Sequence, residues 1–171
     1  RRVRATIVQR VAAAHSRRLG RPALRLLSQD HRIATEFVAD SPPFTIGLVQ
    51  QAVPTNAAAA VDAAERGIRE AAKRGAQIIC LQELFDAPYF CKVTDAERFD
   101  LAEPIPGPVT ERMQRVAGEL GVVIIVPIFE KRGPGVYHNS AAVIDTDGQL
   151  LGVYRKMHIP DDPMYHEKYY F

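Results

Sequence analysis

Hydrophobic positions along the 171-residue chain change rhythm several times, and each change marks an element. Phe44-Thr45-Ile46-Gly47-Leu48-Val49-Gln50 alternates in the manner of a buried strand. Pro54-Thr55-Asn56 offers a turn, with Asn56 placed to cap a helix. Ala57, Val61, Ala64, Ile68 and Ala71 or Ala72 then recur on one helical face, while Asp62, Glu65, Arg66, Arg69, Glu70 and Lys73 take the other. Gly75 terminates this helix. Gln77 to Gln82 is short and continuously apolar, as a strand covered on both faces reads. Strand, helix, strand is a crossover unit with parallel strands.

The second half of the pattern differs. A short helical stretch spans Asp95 to Leu101, and the prolines of Glu103 to Pro108 form rigid punctuation. A second helix runs from Val109 to Leu120, with Val109, Met113, Val116 and Leu120 inward and Gly121 as terminator. Val122 to Phe129 reads as another buried strand. Gly133-Pro134-Gly135 turns the chain into Val136 to Ile144, and Asp145-Thr146-Asp147-Gly148 signals a hairpin closed by Gln149 to Arg155. Parallel units followed by an antiparallel edge predict an α/β sandwich rather than a doubly wound nucleotide-binding sheet.

Composition narrows the class. The chain is 47% hydrophobic and 25% charged, ordinary for a globular protein, and its net charge of +2 makes no global case for nucleic acid. No stretch approaches the ~18 apolar residues that span a bilayer. Arg1 to Gln29 holds eight arginines and no Asp, Glu or Lys. Residues 1–43 are therefore separated as a basic, poorly structured extension, with an organelle leader or a basic arm that contacts nucleic acid or a membrane surface as the competing readings. The domain proper is expected over 44–171. The only cysteines, Cys80 and Cys91, show no metal-type spacing, which points to a reducing cytoplasm.

Two charged residues stand where apolar strands run out. Glu83 follows Ile78 to Gln82, and ligand sites gather beyond the carboxyl ends of parallel strands. A glutamate that loses hydration there becomes a usable general base near neutral pH. Lys156 follows Leu150 to Arg155 and could stabilise a developing oxyanion. Read singly, each is more often an ordinary solvated charge. His158 reads as a hydrogen-bonded structural histidine, and Asp161-Asp162 as a solvated turn. Cys80 reads as a small core residue; Cys91 reads as a more accessible but unreactive loop thiol. No GxGxxG or P-loop pattern occurs, which argues against a phosphate cradle.

The wording and order of these segments are more specific. Thr45 to Gln50, Gln82-Glu83-Leu84-Phe85, Gly121 to Pro127, Tyr137-His138-Asn139-Ser140-Ala141 and Tyr154 to Pro160 together resemble the amino-terminal half of the carbon-nitrogen hydrolase (nitrilase) superfamily. The resemblance implies a four-layer α-β-β-α sandwich, here incomplete, in a homo-oligomer. It implies a Glu-Lys-Cys triad in which Glu83 is the general base and Lys156 the oxyanion-stabilising lysine. Glu167 matches a second glutamate that positions substrate and lysine. The family's cysteine lies beyond Phe171, and neither Cys80 nor Cys91 matches it.

The implied substrate is a small N-carbamoyl amine, with Tyr89-Phe90-Cys91 and Asp161 to Phe171 leaning toward N-carbamoylputrescine. N-carbamoyl-β-alanine or another ω-amide is the rival. No metal or organic cofactor, nucleic acid or membrane is called for. A non-catalytic binding or assembly module remains the alternative from another class. An incomplete sandwich is also expected to leave strand faces such as Val122 to Val126 without full cover.

Overall fold

The computed structural model describes residues 43–171. The basic extension expected over 1–43 lies, but for its last residue, outside them. Among the described residues, five strands form one sheet in the order β1-β2-β3-β4-β5. They are β1 (Ile46–Val49), β2 (Ile78–Leu81), β3 (Val123–Gly133), β4 (Val136–Ile144) and β5 (Leu150–Arg155). The β1, β2 and β3 pairs are parallel; β3 to β4 and β4 to β5 are antiparallel. The mixed sheet predicted from the rhythm is therefore present.

Helix α1 (Ala57–Lys73) crosses from β1 to β2, and α2 (Pro108–Leu120) precedes β3. Asn56 caps α1 by accepting the Ala59 N–H at 3.0 Å. At the head of α2, Pro108 takes the first position, where its missing N–H costs nothing, and the Thr110 hydroxyl accepts the Gly107 N–H at 2.7 Å. Gly121 ends α2 in the left-handed conformation, φ 66°. A 3₁₀ turn over Ala96–Leu101 is capped by Asp95, and a final short helix, α3, spans Glu167–Tyr170.

Both long helices cover one face of the sheet. Val61, Ala64 and Ile68 of α1 and Met113, Val116 and Ala117 of α2 pack on Ile79, Leu81, Ile124, Val126, Ile128, Ala142 and Ile144. Burying each large aliphatic here contributes about 1.5–3 kcal/mol. Ala60 rather than Ala57 lies inward on α1, because Ala57 opens the first turn and stays exposed. The hairpin between β4 and β5 docks on α2, where Gln114 Nε2 donates to the Gly148 carbonyl at 2.9 Å. A Cβ at Gly148 would stand 2.6 Å from the Gln114 carbonyl oxygen, so only glycine permits this approach.

The opposite face departs from expectation in two places. Val122, Ile124 and Val126 are buried on the helix side; on the opposite face Val123 is buried and Ile125 half-buried, so the expected lack of cover over Val122 to Val126 is confined to Ile125. The more exposed apolar surface belongs to β1, where Ile46 and Leu48 are 56% and 79% exposed. β1 is an edge strand with a helix on one side only, so alternation turns half of its residues outward. Further along that face, Leu84, Ala87, Phe90, Cys91, Phe129 and Tyr170 form a second, aromatic-rich cluster.

Candidate active site

The end of β2 is anchored before it delivers Glu83. Gln82 Oε1 accepts the Gln51 N–H at 2.7 Å, tying the exits of β1 and β2 together. Leu84 then adopts φ 51°, a left-handed conformation rare for a branched residue, and turns its side chain into the aromatic cluster. From β5, Lys156 continues the ladder by one rung, its N–H donating to the Asn139 carbonyl at 2.8 Å. Glu167 arrives on α3. That helix is fixed to the loop after β2 by His166 N–H to the Cys91 carbonyl (2.8 Å) and by the Tyr170 hydroxyl to the Val93 carbonyl (2.6 Å).

These segments converge. Lys156 Nζ lies 3.0 Å from Glu83 Oε1 and 2.9 Å from Glu167 Oε2. Asn139 Nδ2 donates to the same Glu83 oxygen, and the Tyr89 hydroxyl donates to Glu167 Oε1 at 3.1 Å. All three predicted site residues thus share one cluster, although Glu83 and Lys156 are 73 positions apart in sequence. Burial alone would lower the Lys156 ammonium, but hydrogen bonds from it to Glu167 and Glu83 outweigh burial and hold it above the ordinary lysine value. It stays cationic. Burial and the Glu167 carboxylate push the Tyr89 phenol above its ordinary range, so Tyr89 stays a donor.

Burial differs sharply among the charged members. The Glu167 side chain is 8% exposed, Lys156 29% and Glu83 53%. The expectation that Glu83 is dehydrated is therefore not met among the described residues, because nothing there stands over its free edge. Glu167 is the reverse case: a buried carboxylate with one partner on each oxygen, which is the condition for burying it at tolerable cost.

The cysteines exchange the environments expected of them. Cys91 is fully buried beneath α3, whereas Cys80 sits half-buried on the open face of β2. Burial, with the charges of Glu167 and Glu83 added, pushes the Cys91 thiol up to about 12, against a hydrogen bond from Tyr89 and the charge of Lys156. Burial also raises the Cys80 thiol. Neither is poised as a thiolate at neutral pH. His158, Asp161 and Asp162 are exposed on the segment between Lys156 and α3, outside the cluster.

Asn139 and Tyr89 are the members that sequence reasoning did not single out. Asn139 had a signal, a polar residue inside the strand run Val136 to Ile144; the structure leaves it 5% exposed, opposite Phe129. Tyr89 had none beyond its aromatic loop. Among the described residues, no group of three or more His, Cys, Asp or Glu is placed to hold a metal ion. None of their helices is long and apolar enough to cross a membrane. Two open clefts, one along β1 and α1 and one beside Tyr137 and Tyr169, lie away from the cluster.

A strand-end glutamate and lysine are thus paired directly, with a second glutamate on the lysine's other side, and known proteins resemble this chain. Residues 45–171 match the Carbon-nitrogen hydrolase family. An N-carbamoylputrescine amidase of Solanum lycopersicum is 49% identical over 128 residues, covering 74% of this chain and 42% of that protein. A citrullinase of Francisella tularensis is 42% identical over 127 residues, 74% of this chain and 44% of its own. A crystal structure of a carbon-nitrogen hydrolase from Helicobacter pylori G27 superposes with a TM-score of 0.70 at 35% identity, over 75% of this chain and 44% of that one. The chain thus spans less than half the length of these relatives, and its sheet and helices correspond to roughly the amino-terminal part of their fold. The chain belongs to the carbon-nitrogen hydrolase family.

Proposed function

We propose that residues 44–171 supply the base, the oxyanion lysine and the positioning glutamate of an amidohydrolase acting on N-carbamoylputrescine. The nucleophilic thiol then comes from sequence carboxyl-terminal to Phe171. The observation that carries this reading is Lys156 Nζ held between Glu83 and Glu167 at 3.0 and 2.9 Å. In the proposed reaction Glu83 accepts the thiol proton and the thiolate attacks the carbamoyl carbon. Lys156 faces the oxygen that gains charge in the tetrahedral intermediate. Glu83 returns the proton to the departing nitrogen, ammonia leaves, and a thiocarbamate remains on the enzyme. Water, losing its proton to Glu83, cleaves that bond; the released carbamic acid decomposes to carbon dioxide and putrescine. Asn139, which donates to Glu83, and Glu167 hold base and lysine in register. The scheme routes no step through a metal or an organic cofactor.

Chemistry near the site favours an amine-tailed substrate. Between Lys156 and Phe171 the chain carries Asp161, Asp162 and Glu167 against a single Lys168 and no arginine. The exposed Asp161 and Asp162, on the segment from Lys156 to α3, lean toward an ammonium tail over the carboxylate of N-carbamoyl-β-alanine; Glu167 is already paired with Lys156. The relatives named for N-carbamoylputrescine and for citrulline share a terminal ureido group, which supports the reacting end independently of the tail. Ammonia release by the whole protein from N-carbamoylputrescine, N-carbamoyl-β-alanine and citrulline tests the proposal. Preference for the first, abolished by Glu83→Gln, is expected; equal turnover of all three would sink the substrate assignment. A homo-oligomer in a reducing compartment completes the proposal.

A further inference from the structure

We propose that Glu130 is a positioning residue for Lys156 and Asn139, acting from the far side of the sheet. The proposal rests on the functional reading of Lys156 given above. Glu130 lies on β3 and is 2% exposed, yet it is charged. Arg155 donates to both of its oxygens, from Nε at 2.7 Å and from Nη2, and the Ser140 hydroxyl donates at 2.6 Å. One carboxylate therefore ties β3 to β4 and to β5.

Register explains why this matters to the site. Phe129 pairs with Asn139, Glu130 with His138, and Ser140 with Arg155. Successive residues in a strand point to opposite faces. Glu130, Ser140 and Arg155 thus lie on the helix side, and each is the chain neighbour of a residue on the site side: Phe129, Asn139 and Lys156. The backbone bond from Lys156 to the Asn139 carbonyl is the last rung of that ladder. With no further rung beyond it, the direction of the lysine depends on how firmly Arg155 is held. The guanidinium fork on Glu130 holds it by two bonds in one plane.

Stability alone does not account for such a group. Exchanging a buried ion pair for apolar residues of similar volume is often neutral or stabilising, so a brace kept for folding only would have no need of charge. Placement of a reacting group is a different matter, since a displacement of about 1 Å costs on the order of a hundred-fold in rate.

The experiment uses the whole protein with N-carbamoylputrescine as substrate. Glu130→Gln, Arg155→Lys and the double variant Glu130→Met with Arg155→Met are compared with Glu83→Gln as the gauge of the reaction itself. The expected result is that the double variant melts within a few degrees of the parent yet loses at least about ten-fold in kcat, with KM changed by less than about three-fold. Arg155→Lys, which keeps the charge but not the fork, should fall between parent and double variant. A folded double variant with parental kcat overturns the inference, and so does unfolding of every variant, which would make Glu130 a folding residue. Full turnover by Glu83→Gln would instead overturn the functional reading beneath it.

Discussion

On the helix side of the sheet, Ile79, Ile124, Val126, Ile128, Ala142 and Ile144 meet α1 and α2, and each is no more than 1% exposed. On the other side of the same strands, Ile46 and Leu48 stand open at one end, while aromatic rings and charges are gathered at the other. Under α1 and α2 the first face is aliphatic and closed within this chain, interrupted only by the Glu130, Ser140 and Arg155 group at its end. The second is heterogeneous, and its polar members are paired with one another across distant segments. Covalently adjacent residues thus serve two purposes: the aliphatic part of the first face supplies cohesion, and the second face carries the paired polar groups. Substitutions on the two faces should accordingly be read out by different measurements.

The largest effect expected is on chemistry. Lys156→Ala in the whole protein should lower kcat by about 10²–10⁴-fold while its melting temperature changes little, because general-base and oxyanion contributions are of that order. A loss of melting temperature in step with activity would make the lysine a structural residue and erase the contrast. Next comes the closed face, where Ile124→Ala should cost about 2–5 kcal/mol by leaving a cavity, measured by denaturant unfolding. Leu48→Ala on the open face should cost less than about 0.5 kcal/mol in residues 1–171 alone. Equal losses at 48 and 124 would mean that the two faces are equally packed.

Acid titration sharpens the comparison. Burial alone would raise Glu65 and Glu130, but hydrogen bonds from arginines hold both below the ordinary carboxylate range. A depressed folded value means that their stabilisation is complete above the unfolded value of about 4.3 and is lost as pH falls through the folded one. The thermal midpoint should therefore drop below about pH 4.3, and Glu65→Gln should flatten that drop. Asp86 and Glu103 are raised by burial and act with the opposite sign, gaining stability as pH falls through their folded values. A midpoint that rises steadily into acid would show that the second pair dominates. A modest effect is expected of Asn56→Ala, about 1 kcal/mol from the lost cap of α1, visible as a lower urea midpoint.

What could be read from the sequence divides along physical lines. The helix stripe over Val61, Ala64 and Ile68, its stop at Gly75 and the Asp145–Gly148 turn are local signals, and each sits where the rhythm placed it. Glu83, Lys156 and Glu167 were named through a resemblance, and their convergence needed a sheet register that no local pattern encodes. Cys91 was misjudged for the same reason: a loop thiol is buried because α3 folds back over it from at least 76 residues away. Ile46 and Leu48 obey strand alternation, but the pattern cannot say which partner covers the outward half.

Leu84 carries a practical consequence for anyone wishing to redesign the site. A leucine at φ 51° is strained by roughly 1–2 kcal/mol, and its side chain, 5% exposed, is wedged among aromatic rings. Glycine at 84 would relax the backbone but empty the wedge, while another bulky residue would keep the strain and lose the fit. Either change would swing the carboxylate of Glu83 relative to its neighbours. Library diversity is better directed at exposed Met157 and His158, which lie apart from the crank that aims the glutamate.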